Sequence, residues 1–207
     1  MEKQDTSKLT NAQRTKQSKT RIIQEANRLF AESGYYGTHM NDIAKASNLT
    51  LPGLLHHFAN KEELLISVLE NRDRTDQQYY ESLFKNSSGM NPFDALSALV
   101  EKNQANPELV QMFTLLSAES ITPGHPGHEF FVNRYRFFRQ VYLSMLKEAQ
   151  AQGKINPNID AEQIGTLVMA ILDGLQLQWL LDPEEVDMAS VFKIFTRIFD
   201  QVLHEHE

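Results

Sequence analysis

Between Thr38 and Lys61 the chain gathers groups suited to holding a polyanion. They are the hydroxyls of Thr38 and Thr50, the imidazoles of His39, His56 and His57, and the ammonium of Lys61. Side chains of these types hydrogen-bond phosphate oxygens, and in a groove they also reach base edges. The elements that must position them are legible from spacing. Met40, Ile43 and Ala44 predict a helix opening at Thr38 or His39 and running through Ala46. Ser47-Asn48-Leu49 reads as a turn in which Asn48 can take a positive φ. Thr50 suits the N-cap of the next helix, and Pro52 suits its first turn. Asn60 and Glu63 have the cap-x-x-Glu spacing of a further helix start.

A longer helix precedes this stretch. Ile22, Ile23, Ala26, Leu29 and Phe30 predict it over about Lys16 to Ser33, with Gly34 ending it and Tyr35-Tyr36-Gly37 as connector. A three-residue turn between two short helices sets them at a large angle, the helix-turn-helix geometry. The second helix then presents its N-terminal residues to base edges in the major groove. Thr38, His39 and Lys61 would flank that groove and donate to phosphates. Helix-turn-helix shapes also occur inside helical enzymes and protein-interaction modules, and the pattern by itself leaves those readings open.

The rest of the chain reads as helix without strand-like alternation. The helix opened by Asn60 continues to Phe84 and stops at Ser87-Ser88-Gly89. Further helices are predicted over residues 92–104, 107–120, 128–152, 160–181 and 187–204, separated by Asn106-Pro107, the breaker-rich loop Ile121 to Gly127, Gly153 and Asp182-Pro183. The expected class is all-α with about nine helices. Residues 1–15 lack apolar periodicity and are expected to be a disordered basic arm. Residues 16–66 then form the helix-turn-helix domain and 67–207 a second helical domain.

Composition agrees with a soluble globular protein: 41% hydrophobic and 23% charged residues. The chain has no cysteine, which excludes disulfides and thiolate metal sites and favours a reducing, cytoplasmic setting. The polar N-terminus argues against a signal peptide, and the apolar runs are short for a membrane span. Net charge is −7, but unevenly spread. Residues 1–66 carry 9 Lys/Arg against 7 Asp/Glu, and residues 67–207 carry 11 against 20. A basic N-terminal part facing phosphates suits this split, and so does a solvated polar tail.

From Leu29 through Leu65 the apolar positions, cap residues and spacing together resemble the N-terminal signature of TetR-family transcriptional regulators, the match covering roughly residues 19–66. The resemblance implies a sequence-specific DNA-binding regulator, a repressor released from its operator by a small-molecule ligand. It places Thr50, Leu51, Pro52 and Gly53 at the start of the recognition helix. It places His56 and His57 where rings reach phosphate or bases, Lys61 and Thr38 at phosphate contacts, and Phe58 as an aromatic plug. Leu55 stands where the family usually has a phosphate-binding tyrosine, and Asn48 replaces the usual turn glycine. Base reading is therefore expected to lean on methyl contacts, backbone amides or DNA shape.

The resemblance also implies a homodimer reading a pseudo-palindromic double-stranded operator, through a four-helix interface made by the last two helices of each subunit. Candidates there are Ile164, Leu167, Val168, Ile171 and Leu175, with Val191, Phe195, Ile198, Phe199 and Val202. An effector pocket is expected among the fourth to eighth helices. Tyr79, Tyr80, Phe84, Phe113, Leu116, Tyr135, Phe138, Met169 and Trp179 are candidate lining, and Arg134, Arg139, Asp173 and Gln176 are polar candidates. Arg134 or Arg139 would suit an anionic ligand and Asp173 a cationic one. No cofactor is implied. His125, His128 and Glu129 are closely spaced, but in a Pro/Gly-rich stretch that reads as a surface loop rather than a metal site. No phosphate-cradling glycine loop and no nucleophile–base pairing is apparent, so no enzyme activity is expected.

Overall fold

The computed structural model describes residues 10–86 and 90–204. Among them are nine helices and no strand: α1 (Asn11–Gly37), α2 (Met40–Ala46), α3 (Leu51–Leu55), α4 (Lys61–Asn86), α5 (Pro92–Gln104), α6 (Pro107–Glu119), α7 (His128–Ala151), α8 (Ala161–Leu181) and α9 (Met188–His204).

α1 starts earlier than its apolar spacing predicts. Thr10 caps it, accepting the Gln13 N–H while the Gln13 side chain accepts that of Thr10. Residues 11–15 are therefore helical rather than part of a disordered arm, and Lys3 and Lys8 lie outside the described residues. A polar helix start has no apolar period, so only its cap could have announced it. At the other end Gly34, with φ 66° and ψ −173°, breaks the helical path where expected. Asn60 caps the Glu63 N–H at 2.8 Å, but the Glu63 carboxylate reaches Ala59 N rather than closing the box on Asn60.

Two apolar clusters form the core. The first joins Ile22, Ala26 and Phe30 of α1, Ile43, Leu54 and Phe58, and Leu64, Leu65, Val68 and Leu69 of α4. Met112, Phe113 and Leu116 of α6 and Phe131 of α7 complete it. The second joins Phe93 and Val100 of α5 and Leu146 of α7 to Val168, Leu175 and Trp179 of α8 and Phe192, Phe199 and Leu203 of α9. The first cluster thus continues past residue 66, and the backbone runs through that position inside α4.

α8 is long and apolar enough to cross a membrane by length and composition, with a mean hydropathy of 1.5. One side of it packs within the protein: Gly165 lies tightly on Arg139 and Tyr142 of α7, while Val168, Leu175 and Trp179 enter the second cluster, and Leu167, Leu177 and Leu181 stay exposed.

Candidate nucleic-acid interface

Leu54, fully buried, is the anchor that fastens the five-residue α3 to Ile43 and Ala44 of α2. Asn48 takes φ 56°, which lets the Leu49 N–H close on Ala44 O at 2.8 Å and aims α3 away from α2. Thr50 caps α3 as expected, its hydroxyl accepting the Gly53 N–H at 3.2 Å and its carbonyl the Leu54 N–H at 2.9 Å. Pro52 has no N–H, so Leu51 alone keeps a free first-turn donor. Thr50, Pro52, Leu55 and His56 are exposed, and Leu51, Gly53 and His57 are half-buried beside them. The outward face is therefore largely apolar, rimmed by one hydroxyl and two imidazoles whose rings sit 5.6 Å apart. Burial, then His56 and then Lys19 lower the pKa of His57 below the ordinary imidazole value. His39, also exposed, precedes α2 without capping it.

Two expected phosphate contacts turn inward instead. The Thr38 hydroxyl is buried and meets the carbonyls of Leu29 at 3.0 Å and Gly34 at 2.7 Å. The Lys61 ammonium donates to the carbonyls of Tyr35 at 2.9 Å and Thr38 at 3.0 Å and lies 4.1 Å from the Tyr35 ring centre. Burial lowers the Lys61 pKa, and Glu119 offsets part of that. The end of α1 leaves carbonyls without helical partners, and these side chains satisfy them. Thr38 and Lys61 therefore position the reader, holding the α1–α2 connector on α4.

The same connector is also fastened to α6 and the loop that follows it. Glu119, closing α6, accepts the Tyr35 N–H at 2.8 Å. A Cβ on Gly34 would meet the Glu119 carboxylate and force it aside, and the positive φ there favours glycine. Residues 121–124 form the expected exposed loop, but His125 within it is buried. Its ring meets those of Tyr35 and Tyr36 edge-on at 5.0 and 5.5 Å. His125 Nδ1 accepts the Gly127 N–H at 3.0 Å and contacts Ser120 Oγ at 2.9 Å, while Nε2 lies 3.8 Å from Glu119. Spacing alone had not revealed this serine–histidine pair. Both residues are at most 3% exposed, which closes them to any substrate. Among the described residues no cluster of metal-ligating side chains forms.

The expected effector region contains a lattice of charges. Arg134 Nε meets both oxygens of Asp73 at 2.9 and 3.0 Å. Arg72 lies 3.1 Å from Asp73 and 3.4 Å from Asp76, which also takes Lys102 at 2.8 Å. Both guanidiniums rest on the Phe113 ring, and Arg134 also faces Phe138. Tyr79 lies under Lys102, and Tyr80 contacts Phe84. Tyr135 donates to Asp173 at 2.7 Å, and burial raises the pKa of both groups. Arg134 Nη1 is buried without a partner. Phe113 and Leu116 belong to the first core cluster and Trp179 to the second, while Met169 and Gln176 are also buried, so these five read as packing. Arg72, Asp73, Asp76 and Lys102 were not anticipated. The signal was there: Arg72 and Asp76 continue the buried phase of Leu65, Val68 and Leu69 on α4. A cleft of about 340 Å³ opens elsewhere, among Phe93, Met145, Leu146, Ile155 and Leu203, away from this lattice.

On α8 and α9 the expected dimer residues divide. Val168, Leu175 and Phe199 are buried in the protomer's own core, because α8 and α9 turn those sides onto α5 and α7. Leu167, Val191, Ile198 and Val202 are exposed, and Ile194, Leu177 and Leu181 join them. Ile164, Ile171 and Phe195 are half-buried at the edge of the core.

Residues 22–68 match the family model described as bacterial regulatory proteins, tetR family. Residues 94–204 match that of the C-terminal part of BetI-type transcriptional repressors. The regulator TtgR of Pseudomonas putida is 26% identical over 187 residues, covering 83% of this chain and 84% of its own. The Salmonella enterica GusR structure is 26% identical with a TM-score of 0.71, over 95% of this chain and 99% of that one. A transcriptional regulator from Saccharomonospora viridis, solved in complex with choline, shares the fold with a TM-score of 0.74 at 19% identity, over 92% and 100% of the two chains.

Proposed function

We propose that this chain, which belongs to the TetR family of bacterial regulatory proteins, is a homodimeric repressor whose hold on its operator is released by a small molecule. It is a helix-turn-helix DNA-binding transcriptional regulator, of a family of regulators rather than enzymes. The observation that carries the reading is the outward face of α3, held by a single leucine and left without a structural task in the protomer. Base contacts fall to Thr50, Leu51, Pro52 and Gly53, and flanking contacts to His39, His56 and His57. Thymine methyls and groove shape suit so apolar a face better than bidentate reading of guanine does.

The exposed stripe Leu167, Leu177 and Leu181 on α8 with Val191, Ile194, Ile198 and Val202 on α9 supports a two-fold dimer. Apolar ridges of this extent on adjoining helices are covered in a stable protein. Two copies joined there would present paired α3 helices to a pseudo-palindromic site. The effector is proposed to enter among α4, α6, α7 and α8, at Arg134, Tyr135, Phe138 and Asp173, with Tyr79, Tyr80 and Phe84 at its edge. A ligand favouring a conformation that fits DNA less well would release it. The seat of the protein is the cytoplasm, where its DNA lies.

Selecting duplexes from a random pool with the purified protein, then titrating metabolites against the bound complex, tests both halves. Failure to enrich any sequence would refute the operator. An enriched operator that no metabolite releases would refute the effector alone.

A further inference from the structure

We infer that the first three turns of α1, residues 11–21, form a second DNA contact that grips phosphates beside the groove entered by α3. The inference rests on the DNA-binding reading and adds a surface to it.

Apart from Lys19, which lies over the Phe58 ring, the charged side chains of this segment make no ion pair or ring contact among the described residues. Every residue from Asn11 to Arg21 except the half-buried Ser18 is exposed, and the first buried residue is Ile22. Ala12 is its one apolar residue. Yet it is built as helix, with the reciprocal Thr10–Gln13 cap at its start. Eleven residues of helix extend about 16 Å.

Its charges oppose its own stability. Arg14, Lys16, Lys19 and Arg21 fall within it, and the first acid after Asn11 is Glu25. None of the four forms a salt bridge among the described residues. An acid in the first turn would complement the helix dipole, and none is there. Lys16 and Lys19, three apart, repel each other. A phosphate backbone reverses both effects, and the intervening Gln13, Gln17, Ser18 and Thr20 add uncharged donors.

Its placement adjoins the reader. The Lys19 ammonium lies 5.6 Å from the centre of the Phe58 ring, in the turn that follows α3, close enough for its charge to be felt at His57. α1 therefore brings Lys19 and Lys16 to the side of the molecule where α3 ends. Charge complementarity and continuity with the reading face point to one occupant, the backbone of the same duplex.

The test uses the full-length protein and two probes, its selected operator duplex and a random-sequence duplex, over a salt series. The double variant Lys16→Gln/Lys19→Gln is compared with wild type and with Lys147→Gln/Lys154→Gln, which alters charge equally at exposed positions far along the chain. For each protomer engaged, the slope of log K against log salt should flatten by about 2 on both probes for the first pair, and not for the second. Sequence preference should be unchanged, because phosphate contacts carry no base information. Unchanged slope in Lys16→Gln/Lys19→Gln, with wild type binding normally, would overturn the clamp. Altered sequence preference would overturn it too, in favour of base reading. Equal flattening in the control pair would attribute the effect to net charge and overturn it as well. Absence of any wild-type binding would instead defeat the DNA reading on which the clamp rests.

Discussion

Replacing Gly34 by alanine probes the contact between the α1–α2 connector and the end of α6. The native backbone there, φ 66° and ψ −173°, lies in a region that is essentially glycine's alone, and a non-glycine residue costs about 1–3 kcal/mol to hold in it. The new methyl would also occupy the place of the Glu119 carboxylate, which must swing away and give up the Tyr35 N–H. Losing a charge-assisted hydrogen bond adds about 1.5–3 kcal/mol. The expected loss is therefore about 2.5–6 kcal/mol, a large share of the stability of an ordinary domain. In a chain of this length that is a fall in Tm of roughly 10 °C, read at fixed protein concentration because the proposed dimerisation would make Tm depend on it. Glu119→Ala alone should cost about 2 kcal/mol. In the double variant the carboxylate contact is lost only once, so the combined cost should fall short of the sum. A Tm within about 2 °C of wild type for Gly34→Ala, or strict additivity in the double variant, would refute the reasoning.

Four further outcomes follow from the structure. Lys61→Met should lower stability by about 2 kcal/mol through the orphaned carbonyls of Tyr35 and Thr38, with the salt slope of DNA binding unchanged; a slope flattened by about 1 would return Lys61 to a phosphate. Leu54→Ala, removing the one anchor of α3, should cost about 2–4 kcal/mol and abolish operator preference in a gel-shift competition while the far-ultraviolet circular dichroism stays helical. Ile194→Glu with Ile198→Glu should yield monomers in analytical ultracentrifugation and weaken operator binding by about 100-fold or more, since paired half-sites are lost. Burial raises the Asp173 pKa, so the native state favours the protonated acid: its contribution is full below the unfolded pKa and is lost as pH rises through the raised folded value. Asp173→Asn should therefore gain stability at neutral pH in denaturant titrations and show a flatter pH profile across that window; a loss at neutral pH would contradict this.

The helices were legible because their signals are local. Apolar spacing, the Thr50 cap, the Asn48 turn and the Gly34 stop each act within a few residues, and the structure carries each of them. What escaped was decided by partners distant in sequence. Thr38 and Lys61 are polar residues at positions that suit phosphate, and their turn inward depends on carbonyls freed at the end of α1, four to 26 residues away. His125 looked exposed among prolines and glycines, yet Tyr35 and Tyr36 cover it from across the chain. On α8 and α9 both faces are apolar, so periodicity could not tell Val168, which faces the core, from Leu167, which faces out. The charges on the buried phase of α4 drew no reading from the sequence, because charge is usually solvent-facing.

The central claim is sequence-selective DNA binding through α3, and fluorescence anisotropy of the full-length protein on a selected duplex and its scrambled counterpart tests it most directly. At near-physiological salt the selected duplex should bind about 1,000-fold or more tightly than the scrambled one, with both affinities falling steeply as salt rises. Equal affinity for the two duplexes, or binding indifferent to salt, would contradict the account.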